Sequence, residues 1–279
     1  MVLGRSPQWH QGAIKVLVPM HKRGKAARVG MQPSLELAQR MAKRAARAQP
    51  DTVFTCGSVQ DWLSEQCDHY RCMHVPRPQA LRAQQQRVDL LNEVGACGPE
   101  SSLQTRVQVA EMWGSEEWLA AEWSSKGRSL LDQVGGPGLP DGLRRQVQRD
   151  IEEVGLVMAK MLPDTKEMSL KLELMGESVC SRWHQDHYTC RAIITYNGSG
   201  TVYAHNDNVN FWELRNCGNN DHIIRDASQV LSANSGDVLL MKGKWFPSTV
   251  NGLVHKSPDK RYHPDGSIMT RLCLKIDVA

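Results

Sequence analysis

His184 and Asp186 stand two residues apart in Trp183-His184-Gln185-Asp186, and a second histidine, His255, and an arginine, Arg271, follow much later in the chain. Two imidazoles and one carboxylate on one side of a ferrous ion leave its opposite positions open to a chelating keto acid and to oxygen. In an extended segment residues i and i+2 point to the same face, so His184 and Asp186 can reach one ion while Gln185 turns away. A guanidinium after the second histidine offers a planar fork for a carboxylate, such as the far end of a 2-oxoglutarate co-substrate. The expected metal ligands are therefore His184, Asp186 and His255, with Arg271 as the co-substrate anchor.

These side chains need strands to carry them. The connection from Ser257 to Ser267 holds two prolines, a glycine and two aspartates, a composition that joins strands. If 252–257 and 268–277 pair antiparallel about residue 263, His255 and Arg271 fall opposite each other. In the last strand Leu272, Leu274 and Ile276 share one face, and Arg271, Cys273 and Lys275 share the other. Met168 to Met175 alternates in the same way, Gly236 to Met241 reads as a glycine-led strand, and Tyr188 to Tyr196 is rich in β-branched and aromatic residues. Taken as unbroken from His184, that last segment gives Tyr188, Cys190, Ala192, Ile194 and Tyr196 the parity of Asp186. Tyr188 and Tyr196 are thus candidates to hydrogen-bond the co-substrate. The stretch His205 to Ile224 reads as an insertion between strands and a candidate substrate lid, with Trp212 and Arg215. Lys242, Lys244 and Trp245, after the strand ending near Met241, are candidates for the rim.

The first half reads as helical. Ser58 to Cys72, Gln79 to Val94, Leu103 to Leu131 and Leu143 to Met161 carry apolar residues at three- and four-residue intervals, with Val147, Ile151, Val154 and Met158 forming a stripe. Gly135 to Gly142 breaks that pattern. Trp113, Trp118 and Trp123 lie five apart, so they spread around a helix rather than lining one face. Three regions are expected: a basic segment 1–50, a helical region 51–162 and a metal-binding β core 163–279. The eight cysteines show no disulfide framework, and reduced thiols are the expectation. Cys67, His69, Cys72 and His74 are a candidate second metal site, a structural zinc, although their spacing fits no named zinc module.

The net charge of +4 hides a segregation. Residues 1–50 hold ten Lys and Arg against one acid, Glu36, leaving 24 basic and 29 acidic residues in the rest. Such a segment fits a transit peptide, an arm for a polyanion or a solvated helix. The apolar run Ala13 to Met20 contains a lysine and a proline and is too short for a membrane span. An intracellular, cytoplasmic or organellar protein is expected, neither secreted nor membrane-spanning. Without an interleaved basic and aromatic platform in the β half, nucleic acid is not an expected partner.

The local text is distinctive: Cys180-Ser181-Arg182-Trp183-His184-Gln185-Asp186, then Thr195-Tyr196-Asn197-Gly198-Ser199-Gly200-Thr201, Gly236-Asp237 through Leu240-Met241-Lys242-Gly243 and Trp245, and Gly252-Leu253-Val254-His255-Lys256-Ser257-Pro258 before the Arg271 strand. The order and spacing resemble the iron(II)/2-oxoglutarate-dependent dioxygenase superfamily. Over about residues 168–279 the motifs resemble more closely an uncharacterised family of unknown function, with H-x-D, TY-x-G-x-GT and GLVH-x-SP motifs. The resemblance implies an α+β protein with a double-stranded β-helix (jelly-roll, cupin-like) barrel in its C-terminal half and a helical region packed on it. It implies an enzyme that uses Fe(II) and 2-oxoglutarate to hydroxylate or desaturate a small molecule or protein side chain. It also permits another class: a non-catalytic cupin-like protein of zinc or other divalent-metal homeostasis.

Overall fold

Period-two alternation runs through both halves of the chain and organises a mixed α+β structure around one large sheet. The computed structural model describes residues 51–77, 101–109, 115–134, 139–177, 179–247 and 252–279. The basic segment 1–50, the helix expected over 79–94, Cys97, Trp113 and residues 135–138 of the glycine- and proline-rich break lie outside the described residues. The strands are β1 (Asp51–Thr55), β2 (Tyr70–Val75), β3 (Ser101–Gln108), β4 (Glu167–Met175), β5 (Cys190–Thr195), β6 (Val202–Ala204), β7 (Leu231–Ser232), β8 (Val238–Lys242), β9 (Val254–Lys256) and β10 (Arg271–Val278). Two long helices, α1 (Glu116–Asp132) and α2 (Asp141–Met161), and two short ones, α3 (Phe211–Asn216) and α4 (Asn220–Ile223), complete it. Neither long helix is apolar enough to cross a membrane.

Seven strands pair in the order β1-β2-β8-β5-β10-β4-β3, antiparallel except for β1 with β2, and β7-β6-β9 form a second sheet. Each strand sorts its side chains between two environments. Leu170, Leu172 and Leu174 of β4, Ala192 and Ile194 of β5, Val238 and Leu240 of β8, and Leu272, Leu274 and Ile276 of β10 face the long helices. There they meet the α2 stripe Val147, Ile151, Val154 and Met158. Burying each such side chain contributes roughly 1.5–3 kcal/mol. The α1 residue Trp123 lies so close over Gly155 that a Cβ there would stand 2.3 Å from the indole. On the opposite face Cys72, Ile193, Leu239 and Met241 pack against Tyr203 and Leu253 of the second-sheet region. A third cluster, Val209, Ile223, Phe211 and Leu214 against Ala204 and Val254, seats the 205–224 insertion on the outer side of the small sheet.

Four expectations are corrected. The segment Ser58–Cys72 is two 3-10 turns, Val59–Leu63 and Glu65–His69, followed by β2, because Ser64 is extended and Tyr70–Val75 finds partners in β1 and β8. Leu103 to Gln108 is likewise a strand, β3, whose Leu103, Thr105 and Val107 alternate with exposed Gln104, Arg106 and Gln108. The region 51–162 therefore supplies three strands of the large sheet. The hairpin about residue 263 does not form: β9 pairs with β6, where His255 faces Tyr203, while β10 pairs with β4 and β5 in the other sheet. Finally, bends at His187–Thr189 break the strand after Asp186, so the parity flips and Ala192, Ile194 and Tyr196 point toward the helices.

Lys242 shares the helix-side face of β8 with Val238 and Leu240 and is 2% exposed, so it is no rim residue. Its Nζ donates to the carbonyls of Cys67 at 2.9 Å and Asp68 at 3.2 Å and lies 4.5 Å from the Phe246 ring centroid. Burial pushes its ammonium down from 10.5 to about 8. Between those values the unfolded chain keeps a proton that the folded chain has lost, so raising the pH favours the fold. The stability of the protein relative to Lys242→Met should rise by about 2 kcal/mol from about pH 7 to about pH 9.5. Denaturant midpoints measure this, and a difference flat with pH would contradict it.

Candidate metal centre

His184 lies in an extended segment that pairs with β9: His184 N donates to His255 O and His255 N to His184 O, both at 3.0 Å. That exchange places two distant imidazoles side by side, with ring centroids 4.4 Å apart. Gln185 turns the other way, and its Nε2 donates to Gly252 O at 2.6 Å. The Asp186 carbonyl accepts from Lys244 N at 2.9 Å, pinning the carboxylate's backbone to the end of β8. Close approach needs glycine at two positions here. A Cβ on Gly243 would lie 1.9 Å from Tyr188 O and 3.2 Å from Asp186 O, and one on Gly252 would lie 2.9 Å from the Gly243 carbonyl carbon.

Asp186 Oδ1 stands 3.6 Å from His184 Nε2, and Oδ2 stands 3.6 Å from His255 Nε2. Two donors each about 2.0–2.2 Å from one ion can be no more than about 4.4 Å apart, so these spacings suit a shared cation. Among the described residues, this trio is the group of His, Cys, Asp and Glu side chains close enough together to hold one. Both imidazoles are oriented from behind: His184 Nδ1 donates to Arg182 O at 2.7 Å and His255 Nδ1 to Leu253 O at 3.1 Å. This leaves each Nε2 lone pair directed at the carboxylate. The Cys180 thiol also approaches His184 Nδ1, at 3.5 Å.

Protonation favours ligation. Burial pushes the His255 imidazole down to about 4, against the attraction of Asp186, so it is neutral at physiological pH. Burial opposes the Asp186 charge, yet the neighbouring His184 and His255 rings, in their protonated forms, and the Arg191 guanidinium hold its carboxyl well below the usual range. For His184, burial lowers the value, but the Asp186 and Arg182 hydrogen bonds outweigh it and raise the imidazole. Since bound imidazoles must be neutral, acid competes with the metal first at His184.

Two residues that the sequence reading missed complete the site. Arg191 Nη1 donates to Asp186 Oδ2 at 3.0 Å, while its Nε and Nη2 grip Asp277 at 2.6 and 3.1 Å. Lys171 Nζ donates to the same Asp277 at 2.9 Å, and the Tyr188 ring lies 4.7 Å from the guanidinium. The available signal was a lone charge, Arg191, in the apolar run Cys190–Thr195.

The other expected residues are dispersed. Arg271 is on the same face of β10 as Asp277 but six residues away; its Nη1 donates to Ser199 O at 3.1 Å and its buried Nη2 has no partner among the described residues. Tyr196 is corrected: its hydroxyl donates to Asp150 of α2 at 2.7 Å on the helix side of the sheet. Trp245 is 53% exposed beside the centre, with its N–H on Tyr188 O at 3.3 Å and its ring against His187. Trp212 is exposed and Arg215 stacks on Phe211, both on the insertion whose Phe211 and Leu214 pack against Ala204 and Val254. The second metal site is also corrected. Cys67 packs among the helix-side residues with its thiol on Asp61 O at 3.1 Å, whereas Cys72 faces the small sheet and His74 is held by Asp237 at 2.9 Å. Cys72 and His74 share one face of β2, but the turn that ends at His69 leaves Cys67 on the helix side of the sheet, so the four donors do not converge. All seven described cysteines are free thiols.

Gly243→Ala should weaken binding of a divalent ion by at least about tenfold, since the added methyl must displace the Tyr188 and Asp186 carbonyls. Titration with Mn(II) measures it. Unchanged affinity would show that the 243 contact does not position Asp186.

No curated protein matches the chain. Among solved structures, the chain is similar to dioxygenase for auxin oxidation 1 from Arabidopsis thaliana, solved with 2-oxoglutarate, at 9% identity and a TM-score of 0.43 over 81% of this chain and 91% of that one. It is similar also to a prolyl-4-hydroxylase of Pseudomonas putida, at 11% identity and a TM-score of 0.35 over 79% of this chain and 95% of that one. Residues 114–277 match a family model, and they span β4 to β9, all three ligands of the centre and nearly all of β10. The chain belongs to the family described as protein of unknown function (DUF1826).

Proposed function

We propose that this protein is an oxygenase that uses Fe(II) and 2-oxoglutarate to hydroxylate or desaturate an organic substrate. The observation that carries the reading is the convergence of His184, Asp186 and His255, a two-histidine, one-carboxylate set suited to ferrous iron. Strands β4-β10-β5-β8 on one side and the His184 segment with β9-β6-β7 on the other support a double-stranded β-helix.

His184, Asp186 and His255 would hold the iron. Ferrous iron there supplies the redox chemistry that couples oxidative decarboxylation of a keto acid to oxidation of a C–H bond. For hydroxylation, 2-oxoglutarate, oxygen and substrate give succinate, carbon dioxide and the hydroxylated product.

Arg271 fits the carboxylate of such a co-substrate because its buried Nη2 lacks an acceptor among the described residues, a costly state that an anion would relieve. It lines an open cleft with Gly198, Ser199 and Thr270. Tyr188, stacked on Arg191, borders the same inner face, and exposed Trp245 with His187 and Lys244 forms a rim for substrate. The substrate is a small molecule or a protein side chain.

Protein supplied with Fe(II), 2-oxoglutarate and oxygen should release succinate, with Asp186→Ala abolishing release. Arg271→Met should raise the 2-oxoglutarate concentration for half-maximal release by about tenfold to a hundredfold. Zinc binding with no succinate under any condition would instead favour the metal-handling class.

A further inference from the structure

We propose that Arg191 is a positioning residue that restricts Asp186 to ligation through one oxygen and so keeps a coordination position open. This inference rests on reading His184, Asp186 and His255 as a metal centre.

The guanidinium is held on three sides. Its Nε and Nη2 form a two-point grip on Asp277 at 2.6 and 3.1 Å, and its flat face lies 4.7 Å from the Tyr188 ring centroid. The remaining nitrogen, Nη1, reaches Asp186 Oδ2 at 3.0 Å. Asp277 is itself fixed by Lys171 at 2.9 Å, so the anchor spans β4, β10 and β5 before it touches the centre.

An ion pair serving the sheet alone is complete with Asp277, and the third donor adds nothing to it. Directed at Oδ2, that donor takes up one lone pair of the oxygen a metal would need for two-point chelation and so disfavours it as a second ligand. Among the described residues Oδ1 takes no such hydrogen bond; it stands 3.6 Å from His184 Nε2, as Oδ2 stands from His255 Nε2. Lysine cannot replace this fork, because a single ammonium has no planar pair of donors for Asp277 and a third for Asp186. A cation beside a cation site carries an electrostatic cost, which Asp277 offsets. An outer partner that orients a ligand typically contributes tenfold to a hundredfold in metal affinity.

Cobalt(II) is the probe, added to the full chain, because its ligand-field absorption reports coordination geometry separately from affinity. His255→Ala should lose binding by more than a hundredfold. Arg191→Lys should bind ten to a hundred times more weakly and show shifted bands at saturating cobalt, and Asp277→Asn should shift them in the same direction by less. Should Arg191→Lys not fold, Asp277→Asn and Tyr188→Leu leave the arginine in place while loosening its grip, and carry the same readout. Unchanged bands and affinity in these variants, with binding still lost in His255→Ala, overturn the role of Arg191 and leave the centre standing. Wild-type protein that binds no cobalt, or a His255→Ala protein that binds as tightly as wild type, overturns the centre itself.

Discussion

The Asp186 carboxylate is the group on which the rest of the structure depends. It is a charge taken largely out of water, and such a charge is tolerated only when partners replace its hydration. The Arg191 guanidinium does this on one side, and a cation shared with the two imidazoles would do it on the other. Each partner arrives on a different segment, so the fold must bring together the extended stretch at 184, the start of β5 and the middle of β9. The paired backbone bonds between His184 and His255 and the bare glycines 243 and 252 allow chain segments to approach closely enough.

The seven-stranded sheet separates two kinds of environment. On one face its leucines, isoleucines and valines meet α1 and α2 in a continuous apolar core. On the other, Lys171, Glu173, Arg191, Lys275 and Asp277 form ion pairs beside the centre, with Cys72, Ile193, Leu239 and Met241 packing against the small sheet farther along. One residue of slippage in β5 or β10 would exchange the faces and remove Arg191 and Asp277 from Asp186. The apolar core against α2 thus fixes the register on which the polar face depends.

Much of this was legible in the residues. The convergence of His184, Asp186 and His255 was expected from donor type and the i, i+2 rule, α2 from its apolar stripe, and the last strand from alternation between Leu272–Ile276 and Arg271–Lys275. What escaped depended on partners. Tyr70–Val75 and Leu103–Gln108 are short, and only pairing with β8 and β4 makes strands of segments whose composition suits a helix. The stretch from His255 to Arg271 joins two sheets, a possibility invisible to hairpin symmetry. Bends at His187–Thr189 reverse the parity of β5, moving Tyr196 out and Arg191 in. Lys242, read as a rim residue from its place after the strand ending near Met241, is covered by the turn carrying Cys67 and Asp68.

X-ray absorption at the iron edge of the ferrous protein tests the central claim most directly. The account predicts scattering from two imidazoles with the remaining ligands oxygen, and an edge that changes when 2-oxoglutarate is added. Iron that shows no imidazole scattering, or retains it unchanged in Asp186→Ala and His255→Ala, would contradict it.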